Sequence, residues 1–126
     1  EIEQELSRVA GKSITVQFTP HLLPIRRGIL TSITLKNALQ TKTDIETLYQ
    51  NFYQDKPFVR VLTQALPEIK HVVHTNRCDI AIRADSRTGN LLIFSALDNL
   101  TKGAAGQALQ CLNLIMGWQS QKVFCG

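Results

Sequence analysis

The sequence lacks a long apolar run and an abundance of aromatic residues, and we expect no secretory leader. No stretch approaches the roughly 18 consecutive apolar residues of a membrane-spanning helix, and residues 1–5 carry acidic charge where a secretory signal is basic. Aromatic residues make up only 6% of the chain, and Arg26-Arg27 is its only adjacent pair of arginine or lysine residues. We therefore expect a cytoplasmic protein, and the pattern disfavours binding of nucleic acid through stacked rings and basic stripes.

Cysteine is scarce and shows no pairing pattern. Cys78, Cys111 and Cys125 are odd in number and far apart, without a CxxC motif, so we expect reduced thiols rather than a disulfide framework. His71, His74 and Cys78 have a spacing that resembles metal ligands, but no fourth ligand follows at a suitable distance along the chain. The sequence therefore predicts no metal site.

The motifs of several enzyme classes are also missing. There is no glycine fingerprint of a dinucleotide-binding fold, no phosphate-binding P-loop and no GxSxG nucleophile elbow. The carboxylates are scattered over different predicted elements, and no serine, histidine and aspartate form a recognisable catalytic set. Function must therefore rest on less general patterns.

The composition predicts one soluble globular domain. Hydrophobic residues make up 44% of the chain and charged residues 19%, which supplies enough apolar material for a single core. The formal net charge of +4 and the pI near 9.2 fit nucleic acid, an acidic surface or a small anion as a partner. Because the basic residues are dispersed, we favour a compact pocket for a small anion.

Periodicity predicts an α+β fold over residues 1–126, with helices on one face of a largely antiparallel mixed sheet. We expect a helix from Ile2 to Gly11, strands at 14–18, 28–35 and 58–62, and a loop at 64–76. A second helix opens at 43–46 with Ile45, Leu48, Tyr49 and Phe52 on one face. A hairpin of strands 78–84 and 91–96 precedes a helix over 103–117, whose apolar face comprises Ala105, Ala108, Leu109, Leu112, Ile115 and Met116.

Residues 98–108, with the sequence DNLTKGAAGQA, form the most specific segment. They join a strand end to a helix start, where backbone amides, the positive end of the helix dipole and Lys102 suit an anion or the amide of a cofactor. The alternative is a capped helix that packs tightly on its sheet through its small residues.

A second candidate site is the bend at 18–28, with the sequence FTPHLLPIRRG, in which two prolines restrict the backbone. It presents His21 beside Arg26 and Arg27. Arginine suits bidentate recognition of a carboxylate or phosphate, and histidine exchanges protons near neutral pH. Both arginines are candidates for facing a pocket, and the alternative is an exposed loop with solvated side chains.

These two segments resemble the N-acetyl-gamma-glutamyl-phosphate reductases of arginine biosynthesis, in the semialdehyde dehydrogenase superfamily. The resemblance covers almost the whole chain, although His74 stands where that family often has glycine and Cys111 where it often has asparagine. The matching motifs, in the same order, are EIEQEL at 1–6, FTPHL at 18–22 with Pro24 and Arg27-Gly28, Asn76 with Cys78-Asp79-Ile80, and DNL with KGAAGQA at 98–108.

The resemblance implies the C-terminal catalytic and dimerisation portion of a two-domain enzyme. Such an enzyme uses NADPH to reduce N-acetyl-gamma-glutamyl phosphate to the semialdehyde through a cysteine thioester. Its Rossmann domain, nucleophilic cysteine and catalytic histidine are expected upstream of this chain, so the chain alone is expected to be inactive. The helix at 103–117 is expected to return to the Rossmann domain, and a homodimer or tetramer is implied.

The resemblance also implies roles for individual residues. Arg27 is expected to bind the substrate anion, His21 to shape the pocket beside it, and Glu1 to orient the histidine that lies upstream. No contact with nucleic acid or membrane is expected. The expected cofactor contacts are Asn99, at the nicotinamide carboxamide of NADP, and, behind it, Lys102 and Gly103.

Two alternatives remain at this point. The first is a related acyl-phosphate reductase, either an aspartate-semialdehyde dehydrogenase or an enzyme acting on a carrier-bound glutamyl or aminoadipyl phosphate; the sequence TPHL at 19–22 with Arg27-Gly28 disfavours the aspartate enzyme. The second is a non-catalytic module that binds an anion, nucleic acid or a protein through its basic face, which would associate with polyanions in a salt-sensitive way.

Overall fold

The computed structural model describes residues 1–36, 38 and 44–121. No helix within these residues has the length and apolar character needed to cross a membrane. The elements, in chain order, are α1 (Ile2–Ala10), β1 (Ile29–Leu35), α2 (Ile45–Tyr53), β2 (Val59–Val61), a 3-10 turn (Ile69–His71), β3 (Cys78–Asp85), β4 (Asn90–Leu97), a π-helical turn (Thr101–Ala105) and α3 (Gly106–Ile115).

The four strands form one mixed sheet in the order β1-β4-β3-β2. Strand β4 is antiparallel to both β1 and β3, whereas the short edge strand β2 is parallel to β3. The β3–β4 hairpin pairs Asp85 with Asn90 across its polar turn. The predicted α+β class, the largely antiparallel mixed sheet and the hairpin are therefore confirmed.

The main apolar cluster lies on one face of the sheet, where alternate residues of β3 and β4 meet α2. Ile82 pairs directly with Ile93, and Ile80 and Leu91 lie on the same face, so all four are buried together. Helix α2 packs against this cluster through the partly buried residues Ile45, Tyr49 and Tyr53.

Helix α2 begins close to the predicted position. The side chain of Asp44 accepts a hydrogen bond from the backbone N–H of Thr47 at 3.2 Å, which caps the helix; Thr43, the first residue of the predicted opening, lies outside the described residues. Leu48 and Phe52 are 53% and 68% exposed, because Tyr53, rather than Phe52, turns towards the sheet.

The predicted strand at 14–18 is wrong, since these residues form no regular element. Two of their backbone donors bond to side chains of α1: Ile14 N–H to Ser7 Oγ and Val16 N–H to Glu3 Oε1, each at 2.8 Å. Because the helix satisfies these donors, the alternating segment needs no partner strand. Helix α1 forms as predicted.

The last helix begins with the π-helical turn and continues as α3. Its predicted apolar face lies at the surface of this chain, with Leu112 48% and Ile115 80% exposed. The buried residues of α3 are instead Gly106 and Asn113. The helix therefore contacts its own domain mainly through small and polar side chains.

Candidate functional site

Three chain segments meet at the end of the sheet where β1 and β3 begin and β4 ends. Leu97, the last residue of β4, pairs with Ile29 on one side and with Cys78 on the other. This register brings together the residues just before β1, just before β3 and just after β4. The resulting group, here called the Asp98 cluster, consists of Arg27, Gly28, His74, Asp98 and Asn99.

The carboxylate of Asp98 is fully buried at the centre of this cluster. Its Oδ1 accepts hydrogen bonds from the N–H groups of Leu100 at 2.9 Å and Thr101 at 3.1 Å. Its Oδ2 accepts from the N–H of His74 at 2.7 Å and lies 3.5 Å from Nη1 of Arg27. Every polar contact of the carboxylate therefore favours its charged form.

These contacts determine the protonation state of Asp98. Burial acts to raise the pKa of the carboxyl group, but the three backbone hydrogen bonds and the charge of Arg27 outweigh it, so the pKa lies below its ordinary value. Asp98 is therefore negatively charged at neutral pH, and its charge organises the residues around it.

Arg27 is held in the cluster by one nitrogen. Nη1 donates to Nδ1 of His74 at 2.5 Å and faces Asp98, while a quarter of the side chain stays exposed. Within the described residues, Nε and Nη2 make no hydrogen bond. The edge of the guanidinium that carries these two nitrogens therefore remains available to bind an anion through two hydrogen bonds. Arg26 is exposed and makes no polar side-chain contact with the described residues, so Arg27 is the one of these two neighbouring arginines that the fold fixes.

Gly28 and Asn99 connect the first and last strands beside this arginine. The N–H of Gly28 donates to Oδ1 of Asn99 at 2.7 Å. The φ of Gly28 is +110°, and a Cβ there would lie 2.3 Å from Cγ2 of Ile69, so only glycine fits. The amide nitrogen of Asn99 has no partner within the described part of the chain and can donate to a ligand.

Asn76 and Gly106 pack against each other next to the cluster. Asn76 is 4% exposed, its Nδ2 donates to Oε1 of Gln110 at 3.3 Å, and its Oδ1 has no hydrogen-bond partner among the described residues. A Cβ on Gly106 would lie 2.2 Å from this oxygen. Within the KGAAGQA motif, Gly106 therefore allows the helix to pack closely against Asn76.

Lys102 bonds within its own helical segment. Its ammonium donates to Oε1 of Gln107 at 2.7 Å and of Gln110 at 2.8 Å, and it lies 5.6 Å from the centre of the Phe58 ring. Burial lowers the pKa of Lys102, although the nearby thiols of Cys78 and Cys111 act in the opposite direction.

The backbone amides at this helix start are also engaged. Leu100 and Thr101 donate to the Asp98 carboxylate, and the N–H of Gly103 donates to the backbone oxygen of Asp98 at 3.0 Å. The structure thus favours the capped-helix interpretation of residues 98–108. The anion at this helix start is Asp98 itself.

The other predicted site residues lie apart from these contacts. His21 is exposed and has no hydrogen bond or ion pair to a described residue, and Glu1 precedes α1 at the edge of a shallow groove. In the described ranges, no three histidine, cysteine or acidic side chains converge as metal ligands. The sequence did not identify His74 or Asp98 as site residues. Asp98 does, however, belong to the Asp98-Asn99-Leu100 motif, which the sequence had singled out.

Comparison with known proteins places the chain in a family. A family profile described as "Semialdehyde dehydrogenase, dimerisation domain" matches residues 1–99. An N-acetyl-gamma-glutamyl-phosphate reductase of Pelotomaculum thermopropionicum is 51% identical over 119 residues, which cover 93% of this chain and 34% of that protein. A protein of the same name from a Cyanothece species is 48% identical over 122 residues, covering 94% and 35% of the two chains. The chain therefore spans about a third of the length of these relatives.

Solved structures agree on the fold. The aspartate semialdehyde dehydrogenase of Francisella tularensis matches 90% of this chain and 34% of its own, with a TM-score of 0.57 and 22% identity. Aspartate semialdehyde dehydrogenase II of Vibrio cholerae matches 75% of this chain and 29% of its own, with a TM-score of 0.57 and 17% identity. The sheet, its hairpin and the sequence motifs thus agree: the chain belongs to the semialdehyde dehydrogenase dimerisation-domain family.

Proposed function

We propose that this chain forms the substrate-facing and dimerising part of an NADP-dependent N-acetyl-gamma-glutamyl-phosphate reductase of arginine biosynthesis. The observation that carries the proposal is 51% identity, over 93% of this chain, to a relative of that name. Because the chain spans about a third of such relatives, the nucleophilic cysteine, the catalytic histidine and the Rossmann domain would come from other parts of the protein. The chain alone would then be inactive, and a cytoplasmic location goes with this proposal.

Arg27 is the proposed binding group for the substrate anion. The substrate carries a carboxylate and an acyl phosphate, and a guanidinium edge with two N–H donors matches either group. Asp98 and His74 contact Nη1, which leaves Nε and Nη2 for this purpose. His21 would shape the pocket and Glu1 would orient the catalytic histidine once the substrate and the rest of the protein are in place.

Asn99 is the proposed contact for the nicotinamide carboxamide, and NADPH, when bound, supplies the hydride. The residues fit this group, because Gly28 fixes the amide oxygen of Asn99 and leaves its nitrogen free to donate. Lys102 would support the cofactor site indirectly, since its ammonium donates hydrogen bonds to the side chains of Gln107 and Gln110. Gly103, which has no side chain, would leave space for the cofactor to reach Asn99.

Two exposed apolar surfaces, on β1 and on α3, would be covered in the full-length, oligomeric protein. All seven residues of β1 are exposed, including Ile29, Leu30, Ile33 and Leu35, and they suit the homodimer or tetramer that the name of the family suggests. The exposed apolar stripe of α3 would pack against the Rossmann domain. Both surfaces would otherwise leave apolar area in water.

Activity of the full-length protein tests the proposed function. We expect phosphate-dependent reduction of NADP with N-acetylglutamate semialdehyde as the substrate. If the protein reduced NADP only with aspartate semialdehyde, or only with a carrier-bound semialdehyde, it would be assigned to another reductase of the superfamily. Salt-sensitive binding of polyanions without any NADP reduction would instead support the non-catalytic module.

A further inference from the structure

The backbone of His74 adopts a conformation that histidine rarely takes. Its φ is +64°, and it is the one residue other than glycine with a positive φ in the part of the chain that the structure describes. This left-handed region brings the Cβ close to the backbone and costs free energy, whereas glycine adopts it freely. A side chain at this position therefore needs a compensating role.

The backbone contact of His74 does not account for the imidazole. Its N–H donates to Oδ2 of Asp98 at 2.7 Å, and glycine would make this hydrogen bond equally well. The side chain is exposed at the surface, so burial of apolar area does not explain it either. What remains is the contact made by the ring.

The ring of His74 contacts Arg27, 47 residues earlier in the chain. Since a guanidinium only donates, Nδ1 of His74 accepts from Nη1 at 2.5 Å. The ion pair between Nη1 and Asp98 is longer, at 3.5 Å, which exceeds the usual length of an N–H···O hydrogen bond. Without the imidazole, the described residues offer Arg27 only this weaker contact.

We propose that His74 is a positioning residue that fixes the direction of the Arg27 guanidinium. With Nη1 held between His74 and Asp98, the Nε–Nη2 edge, which makes no hydrogen bond to a described residue, meets the anionic group of the substrate without first being ordered. This inference rests on the proposed function of Arg27 as the anion-binding group. His74 itself does not touch the substrate.

The variant His74→Gly in the full-length enzyme separates positioning from folding. Glycine removes the ring and also the backbone strain, so the melting temperature should stay the same or rise. The KM for N-acetylglutamate semialdehyde should nevertheless increase about three- to tenfold, because the guanidinium of Arg27 is then less well ordered before the substrate binds. The kcat and the KM for NADP should change by less than about twofold, since the ring bonds to Arg27 and not to Asn99, the proposed cofactor contact.

Two further variants complete the test. His74→Asn tolerates a positive φ and offers an amide oxygen to Arg27, so it should recover part of the substrate affinity lost in His74→Gly. The control is His71→Ala, which removes another exposed histidine from the same connecting segment; its ring lies 4.0 Å from Glu68, outside the Asp98 cluster. This control should leave the KM for substrate unchanged.

The outcomes distinguish failure of this inference from failure of the proposed function. If Arg27→Ala raises the KM for substrate but His74→Gly does not, His74 does not position Arg27 and the inference is overturned alone. If Arg27→Ala also leaves this KM unchanged, the proposed role of Arg27 falls, and the inference falls with it.

Discussion

The side chain of Asn99 is bonded to the backbone of Gly28, whose N–H donates to the amide oxygen at 2.7 Å. This contact joins the residue before β1 to the second residue after β4. It uses the oxygen of the amide for structure and leaves the nitrogen for a ligand. The structural and the proposed functional role of Asn99 therefore belong to different atoms and can be separated by mutation.

The variants Asn99→Asp and Asn99→Ala separate these roles. Aspartate keeps an acceptor for the N–H of Gly28 but loses the amide donor, whereas alanine loses both. We expect each variant to raise the KM for NADPH about tenfold, the cost of one hydrogen bond. Only Asn99→Ala should lower the free energy of unfolding, by about 1 kcal/mol. An unchanged KM for NADPH in both variants would contradict the proposed cofactor contact.

Asp98→Asn should destabilise the protein at neutral pH. The amide oxygen can still accept from Leu100 and Thr101, but the amide nitrogen would then face two other donors, the N–H of His74 and Nη1 of Arg27. We expect the free energy of unfolding at pH 7, measured by denaturant titration, to fall by about 2–4 kcal/mol. Wild-type stability in this variant would show that the buried charge is unimportant.

The same residue predicts a pH dependence of stability. Because the folded-state pKa of Asp98 lies below the ordinary value of 3.8, its contribution is fully present above the pKa in the unfolded chain and is lost as the pH falls through the folded-state pKa. The difference in unfolding free energy between wild type and Asp98→Asn should therefore shrink from about pH 5 to about pH 2. A difference that stays constant over this range would argue that Asp98 has an ordinary pKa.

Gly106 and Gly103 form a matched pair for testing the helix start. A Cβ on Gly106 would lie 2.2 Å from Oδ1 of Asn76 and 2.8 Å from the backbone oxygen of Thr101, whereas one on Gly103 meets nothing closer than 3.6 Å. We expect Gly106→Ala to lower the free energy of unfolding by about 2–3 kcal/mol. Gly103→Ala should change it by less than about 1 kcal/mol. Similar stabilities of the two variants would show that Asn76 moves aside at little cost.

Local patterns predicted much of the fold. The β3–β4 hairpin could be predicted because alternating apolar residues flank a polar turn, and its pairing is local in the chain. The helix start at Asp44 could be predicted from its capping side chain. The strand at 14–18 could not be excluded, because the hydrogen bonds of Ile14 and Val16 to α1 compete with strand pairing and leave no mark on the alternation itself.

The candidate site was only partly visible in the sequence. Arg27 and Asn99 follow from their motifs, but the contact between His74 and Arg27 joins residues 47 positions apart through the register of the sheet. The segment 64–76, predicted as a loop, contains the Ile69–His71 turn and contributes His74 and the buried Asn76. The exposed apolar stripe of α3 could be predicted only in part, because periodicity identifies an apolar face but not the surface that covers it.

The most direct measurement compares Arg27→Ala with its matched control Arg26→Ala in the full-length protein, by steady-state kinetics of phosphate-dependent NADP reduction with N-acetylglutamate semialdehyde. Arg27 is fixed in the Asp98 cluster, whereas the exposed Arg26 makes no polar side-chain contact with the described residues. We expect Arg27→Ala to raise the KM for substrate about tenfold or more, and Arg26→Ala to change it by less than about twofold. Equal effects of the two variants, or a larger effect of Arg26→Ala, would contradict the assignment of Arg27 as the anion-binding residue.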